Sequence, residues 1–408
     1  MPKKLSRRQF LTTAAVAASG AALALLRRQT GALAQEPGSG VYLPYVSTGS
    51  AGKRHIYVAR NGTPVGNVEA AIALAGGIQQ FVGRDDAVVL KPNGQWPNQG
   101  YTHTQSMKAL IDAILDRPGG FAGEIIITEH VHRDPTETLA DRYCWNMSPA
   151  NRQRNWAEMN YLELVGDYHQ RGYLNVTAAP MCDSGGASDW AAATGPGDLP
   201  AGKHGWVRLP AYTASNGRQY HPSYAILRSS YSGNLIDLHN SVWGSGGYTG
   251  QRARLILLPT LNNHSGLDSE DYAGPTSAVK CHIGFIEGTS LHSVGYNSGD
   301  ADAVGEAVAH LITQVVHPAF YLTCAEWTGY GGRTNSSAAQ TRAVGLCADP
   351  ATLDYWMCKY ILLPCRPSQA FMNPDNPGNL RKTLQGCLRH GVGTLDESEM
   401  AVHQVSLA

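Results

Sequence analysis

Two runs, Asp86–Asn93 (DAVVLKPN) and Gly123–His130 (GEIIITEH), constrain the fold most. Each is continuously apolar over the length of a strand and closes on polar residues, the pattern of a strand covered on both faces. A strand hidden on both sides needs a layer of structure above and below it. The flanking sequence supplies candidates. Residues 55–60 read as a strand and 65–78 as a helix closed by Gly76-Gly77. Residues 102–115 read as an amphipathic helix opened by Thr102 or Thr104 and stopped at Pro118-Gly119-Gly120. Residues 151–172 read as a long helix ending at Gly172, and 173–179 as the next strand. Alternation at this spacing predicts a parallel sheet with right-handed crossovers.

Between about 180 and 250 the rhythm breaks into Gly, Pro, Ser and Tyr, with short strand-like pieces at 206–212 and 224–230 that predict a β-rich insertion. The α/β pattern resumes at 252–261. Helices are expected at 276–288, 302–316, 350–363 and 379–389, and strands at 319–327 and 342–349. The expected fold class is α/β, a mostly parallel sheet with helices on both faces and an insertion around 180–250. The α/β domain is expected over 54–390, with 391–408 as a tail.

Charge and cysteine spacing remove several functions. Lys+Arg and Asp+Glu both total 32, and residues 1–34 carry a basic excess, so the remainder is slightly acidic. A nucleic-acid binder would show a basic face, and a membrane-surface protein a polybasic one. The 8 cysteines lie between Cys144 and Cys387 without any C-x-x-C spacing. No iron–sulfur cluster, zinc ribbon or c-type haem is therefore expected, while one or two disulfides are.

The N-terminus reads as a removable address. Lys3, Lys4, Arg7 and Arg8 precede an apolar, Ala-rich run from Phe10 to Leu26, and Ala32-Leu33-Ala34 offers a cleavage pattern before Gln35. Ser6-Arg7-Arg8-Gln9-Phe10-Leu11 resembles the S-R-R-x-F-L-K pattern of twin-arginine signals. That resemblance implies export of a folded chain by the twin-arginine translocation machinery to the periplasm or the extracellular side. Retention of the segment as an uncleaved anchor is the rival reading. Residues 35–53 read as a Gly/Ser/Pro-rich tether, and no stable membrane span is expected in the mature chain.

In open parallel sheets, ligands bind beyond the carboxyl ends of the strands. The first such end is Lys91-Pro92-Asn93, a cation and an amide ahead of a Thr-led helix, suited to an anionic group. The second is Glu129-His130-Val131-His132. On an extended segment His130 and His132 point the same way, half of a mononuclear metal site with Glu129 beside them. Solvent-facing histidines are the alternative. The third end, Thr260–Ser265, carries His264 and leads to Lys280 and His282; such a corner can bind a carboxylate or phosphate, or shuttle a proton. The fourth is Glu326, followed by a Gly-rich stretch at 329–332 that lacks the dinucleotide fingerprint. Asp349 before Pro350 reads first as an N-cap. No nucleophile elbow, P-loop or H-E-x-x-H run is present.

Taken in order, residues 88–129, 255–288 and 348–356 resemble the domain-of-unknown-function-362 family. Lys91, Pro92 and Asn93 match its K-P-N strand end. His264, Lys280 and Gly284 match its P-K-L-K-T-H…T-x-A-x-K-N-x-x-G segment, and Asp349, Pro350 and Asp354 its D-P-x-A-x-D segment. Thr260 and Asn262 stand where that family has two lysines, His282 stands near its Asn, and Glu326 replaces its Asp. The resemblance implies this fold and a shared polar pocket formed by Lys91, Asn93, Glu129, His264, Lys280, Glu326 and Asp349. Two functions fit: an enzyme or redox accessory protein, or a non-catalytic extracytoplasmic binding protein for a small anionic ligand or a metal ion.

Overall fold

The structure, a computed structural model, describes residues 52–94, 96–129, 145, 147, 152–156, 158–180, 190–285, 300–334 and 337–407. The expected signal segment and most of the tether lie outside the described residues, as do His130 and His132.

An eight-stranded sheet forms the centre. Its strands are β1 (Arg54–Arg60), β2 (Ala87–Pro92), β3 (Glu124–Ile127), β4 (Val176–Ala178), β13 (Ala253–Leu258), β14 (Pro318–Gly329), β15 (Ala338–Cys347) and β16 (Met400–Ser406), in the order β16-β1-β15-β14-β13-β2-β3-β4. From β14 to β4 every pairing is parallel. β15 runs antiparallel to both neighbours, and β16 is parallel to β1. The protein is thus α/β with a mostly parallel sheet.

Both faces of this sheet are covered, as the apolar runs require. Val88, Leu90, Ile125 and Ile127 pack against α1 (Pro64–Leu74), α2 (Thr104–Leu115) and α3 (Tyr161–Gln170) through Val68, Leu110 and Leu164. Ala87, Val89 and Ile126 point the other way. There they meet α4 (Ala301–Gln314), α5 (Pro350–Met357), α6 (Asn379–Leu388) and the insertion. Each fully buried Val, Leu or Ile contributes about 1.5–3 kcal/mol, so the two layers carry most of the driving force.

The insertion holds β5 (Trp190–Ala192), β6 (His204–Arg208), β9 (Ser223–Arg228), β10 (Leu235–Asp237), β11 (Ser241–Gly244) and β12 (Gly247–Tyr248) as a second sheet, ordered β12-β11-β10-β9-β6-β5, with a small hairpin of β7 (Tyr212–Thr213) and β8 (Gln219–Tyr220). Ile226 and Ile236 join the core beneath the main sheet. The Ser232 hydroxyl donates to Glu124 at 2.8 Å, and the Ser223 hydroxyl donates to the Phe285 carbonyl at 2.8 Å. The insertion therefore braces both the start of β3 and the segment after β13.

Four local expectations need correction. Residues 391–408 are not a tail: Met400–Ser406 forms the edge strand β16, in register with the whole of β1. Residues 276–285 do not form an α-helix, and 286–288 lie outside the described residues. Lys280–Phe285 is a 3₁₀ turn whose six residues are all buried, which leaves no amphipathic stripe. The long helix at 151–172 starts only at Tyr161, because Asn160 and Glu163 build a capping box there. Neither Thr102 nor Thr104 caps α2, since Thr102 donates to the Leu258 carbonyl and Thr104 to the Met159 carbonyl. The six described cysteines (281, 324, 347, 358, 365 and 387) are free thiols, and Cys144 and Cys182 lie outside the described residues.

α4 and α6 touch backbone to backbone. A Cβ on Gly305 would lie 1.9 Å from the Thr383 carbonyl oxygen, and one on Gly386 would lie 2.1 Å from that of Asp302. No side-chain rotation relieves either clash, so the helices must separate. Gly305→Ala and Gly386→Ala are each expected to destabilise the protein by about 1–3 kcal/mol, read as a lower urea midpoint, whereas Gly166→Ala, where a Cβ meets nothing within 4 Å, should not.

Candidate functional site

Lys91 ends β2 and Glu129 follows β3, so the adjacent parallel strands deliver a cation and an acid to the same edge. Lys91 Nζ lies 3.0 Å from Glu129 Oε2, with the two side chains 2% and 3% exposed. The other carboxylate oxygen of Glu129 accepts from the Gly94 amide at 3.2 Å. Cys281 Sγ sits 3.7 Å from the same ammonium, and the Phe285 ring lies 5.8 Å from it. Burial acts to lower the Lys91 pKa, but Cys281 and Glu129 outweigh it and raise the pKa above its ordinary value. Burial pushes the Cys281 thiol up to about 12, so it is uncharged at neutral pH and Glu129 is the group that neutralises Lys91.

A second buried pair comes next along the chain, Lys280 directly preceding Cys281. The Lys280 ammonium bonds the Asp271 carboxylate and the Gly274 carbonyl, the latter at 3.2 Å, and lies 4.8 Å from the centre of the Tyr272 ring. Burial lowers its pKa, opposed by Asp271 and aided by Arg333. Ser265 Oγ donates to the other oxygen of Asp271 at 3.2 Å, which ties this pair to the loop bearing His264. His264 Nδ1 is 2.7 Å from Thr276 Oγ1, and its carbonyl accepts from Arg333 Nη1 at 2.6 Å. The Arg333 guanidinium stacks over the Trp96 ring at 4.2 Å.

His282 completes the corner. Its Nε2 is 2.8 Å from the Tyr321 hydroxyl, while Nδ1 is buried without a hydrogen-bond partner. Burial and the nearby Lys91 charge lower its pKa to about 3. The imidazole is neutral.

The whole segment is hung from α5. Asp354 is fully buried and accepts from Ser277 Oγ at 2.6 Å, Ala278 N at 2.7 Å and Val279 N at 2.8 Å, so it sets the position of Lys280 and Cys281. Burial raises its pKa to about 7 against those three donors.

The other expected site residues fall in different places. Asn93 stitches the strand ends: its Oδ1 accepts from Thr260 N at 2.9 Å, and its own amide donates to Thr102 Oγ1 at 2.9 Å. Glu326 stands at a register shift of the β14–β15 hairpin, bonded to Gln340 at 2.8 Å, and burial raises its pKa. The glycines after it shape the turn of that hairpin; a Cβ on Gly329 would lie 2.2 Å from the Gly332 carbonyl. Asp349 caps α5, accepting from Thr352 N at 2.9 Å. The structure pairs Lys91 with Glu129 and pairs Lys280 with Asp271, which is tied through Ser265 to the loop bearing His264. It does not bring in Glu326, and Asp349 acts at the start of a helix.

Cys281, Asp271 and Tyr321 were not foreseen from sequence. A lone cysteine carries no spacing signal, and Asp271 is recognisable as the partner of Lys280 only once the 271–280 loop is folded. Among the described residues, no three His, Cys, Asp or Glu side chains gather as a metal site, and both carboxylate oxygens of Glu129 already accept hydrogen bonds. No helix among the described residues is long and apolar enough to cross a membrane. Comparisons with protein-family models, with curated proteins and with solved structures found no match to the chain.

The buried imidazole gives a pH dependence of known sign. His282 titrates near 3 in the folded chain and near 6.5 when unfolded, so the unfolded state binds the extra proton below pH 6.5. Its contribution to stability is complete above pH 6.5 and is lost progressively towards pH 3. Urea midpoints measured from pH 7 to pH 4 should fall more steeply for the wild type than for His282→Gln. His103, whose pKa burial lowers to about 4, and Asp354 are present in both proteins, so the difference between the curves isolates His282.

Proposed function

We propose that the chain is an exported protein related to the domain-of-unknown-function-362 family, an enzyme or redox accessory protein that takes a small anionic ligand at the Lys91–Glu129 corner. The observation that carries this reading is the buried Lys91–Glu129 pair at the carboxyl ends of two neighbouring parallel strands, bordered by the turn that bears Cys281 and, directly before it, the buried lysine of the Lys280–Asp271 pair. Desolvating such a pair costs several kcal/mol per ion, and packed apolar residues would serve stability as well or better. An entering carboxylate or phosphate can exchange with Glu129 or Asp271 on the same ammonium, and the displaced acid is then placed to take up a proton. The uncharged Cys281 thiol and low-pKa His282 favour a second reading, a binding protein without turnover; in that case ligand stabilises the fold but is recovered unchanged.

A panel of small carboxylates and phosphates tests the site by thermal shift. Lys91→Met alone strands a buried carboxylate, at a cost of about 3–5 kcal/mol, whereas Lys91→Met/Glu129→Leu removes the pair with little loss of stability. The double variant should fold and lose the ligand-induced rise in melting temperature, while Glu326→Gln keeps it. Retention of the full shift by the double variant overturns the assignment of the site. Export is tested separately: replacing Arg7 and Arg8 by Lys should leave the protein in the cytoplasm of the producing cell, and undiminished export would exclude the twin-arginine route.

A further inference from the structure

We infer that His55 and His403 form a chelating site for a tetragonal divalent transition-metal ion, Cu(II) or Ni(II), which clips the last strand of the sheet to the first.

The strand register builds the pair. β1 and β16 run parallel, with Tyr57 opposite His403 and His55 opposite Ala401. Side chains alternate along a strand, so His55 and Tyr57 share a face, and His403 stands beside them on it. Both histidines are exposed and Tyr57 is half-buried. His55 Nδ1 lies 2.9 Å from His403 Nε2, and the two ring planes differ by 11°. The Tyr57 ring stacks on His403 with centroids 4.9 Å apart and planes 18° apart, which seats that imidazole on the sheet. β16 is the outermost strand, so an ion reaches the pair from solvent.

The spacing is that of a metal bite. Two imidazole nitrogens bound at about 2.0–2.1 Å to one ion, at a right angle, lie about 2.9 Å apart. A tetrahedral ion such as Zn(II) needs a wider gap, about 3.3–3.4 Å, so the separation favours the tetragonal ions. Without an ion the gap holds one proton, which one ring donates and the other accepts. On binding, the donor ring carries its proton on its other nitrogen, each exposed ring turns so that its lone pair meets the ion, and water fills the remaining positions. Burial and the neighbouring His403 lower the His55 pKa, so its imidazole is uncharged at neutral pH, the form that a metal takes. No Lys or Arg among the described residues acts on it to repel a cation. An ion held by both rings binds only while β16 is paired with β1, so it stabilises that pairing by mass action.

Calorimetric titration of Ni(II) into the folded chain tests the site, in a His130→Gln/His132→Gln background so that those two imidazoles contribute nothing. Saturable binding is expected, weakened about tenfold or more by His55→Gln and by His403→Gln, with Zn(II) binding more weakly than Ni(II). Both side chains are exposed, so the variants keep the fold. Amide hydrogen exchange locates the ion: Ni(II) should slow exchange across Met400–Ser406, and should do so in neither His variant. Lys91→Met/Glu129→Leu should leave Ni(II) binding unchanged, which separates this site from the proposed one. Absence of saturable binding, undiminished affinity in both His variants, tighter binding of Zn(II), or exchange across Met400–Ser406 unaltered by Ni(II) would overturn the inference.

Discussion

The sheet depends on one long-range junction, the pairing of β13 with β2. All six residues of β13 run in register beside all six of β2, although the insertion and two other main-sheet strands, β3 and β4, intervene in the chain. At the entry to both strands the Arg252 guanidinium clamps the Asp86 carboxylate with two bonds, at 2.9 and 3.0 Å, and Ala87 N donates to the Arg252 carbonyl at 2.8 Å. In a sheet buried on both faces, a slip by one residue would exchange the two cores, so a charged fork at the strand mouth has a direct structural use. Once this junction forms, Lys91, Glu129 and the 277–285 segment have no other place to go.

That dependence explains what was legible beforehand. Strands such as 87–92 and 124–127 announce themselves because double-sided burial demands an unbroken apolar run, and helices such as α2 and α4 because single-sided burial demands a stripe. Where burial takes neither form, the pattern is silent. Lys280–Phe285 is buried all round in a single 3₁₀ turn and imitates a helix in sequence. β16 is mostly exposed, so its residues lack the alternation of a half-covered strand; only the complementarity of its backbone with β1 defines it. The shorter α3 did carry a readable signal, the Asn160–Glu163 capping box, outweighed in the sequence by the length of the polar–apolar run before it.

The candidate site was legible in place but not in wiring. The rule that ligands gather at strand ends points to Lys91, Glu129 and the 260–265 loop, and these do approach one another. Two of their partners carry no motif signal, Asp271 from a loop and Cys281 from a turn; Asp354 lies in the D-P-x-A-x-D match, but nothing in that pattern shows that it holds the backbone of Ala278 and Val279. Glu326 shows the converse. It follows an apolar strand and precedes glycines, yet β14 runs on past its neighbours and carries this acid beyond the corner into the hairpin with β15.

The position of β16 has a consequence in time. β1, the first strand, is flanked by β15 and β16, both drawn from the last part of the chain. During synthesis the N-terminal strand must therefore wait, with both hydrogen-bonding edges open, until nearly everything else has been made. Elements α1 to α3 can gather on β2, β3 and β4 early, but the sheet closes around β1 only when β15 and β16 have emerged. Closure of the sheet is a late, long-range event, and a variant lacking Met400–Ser406 would present β1 as a bare edge.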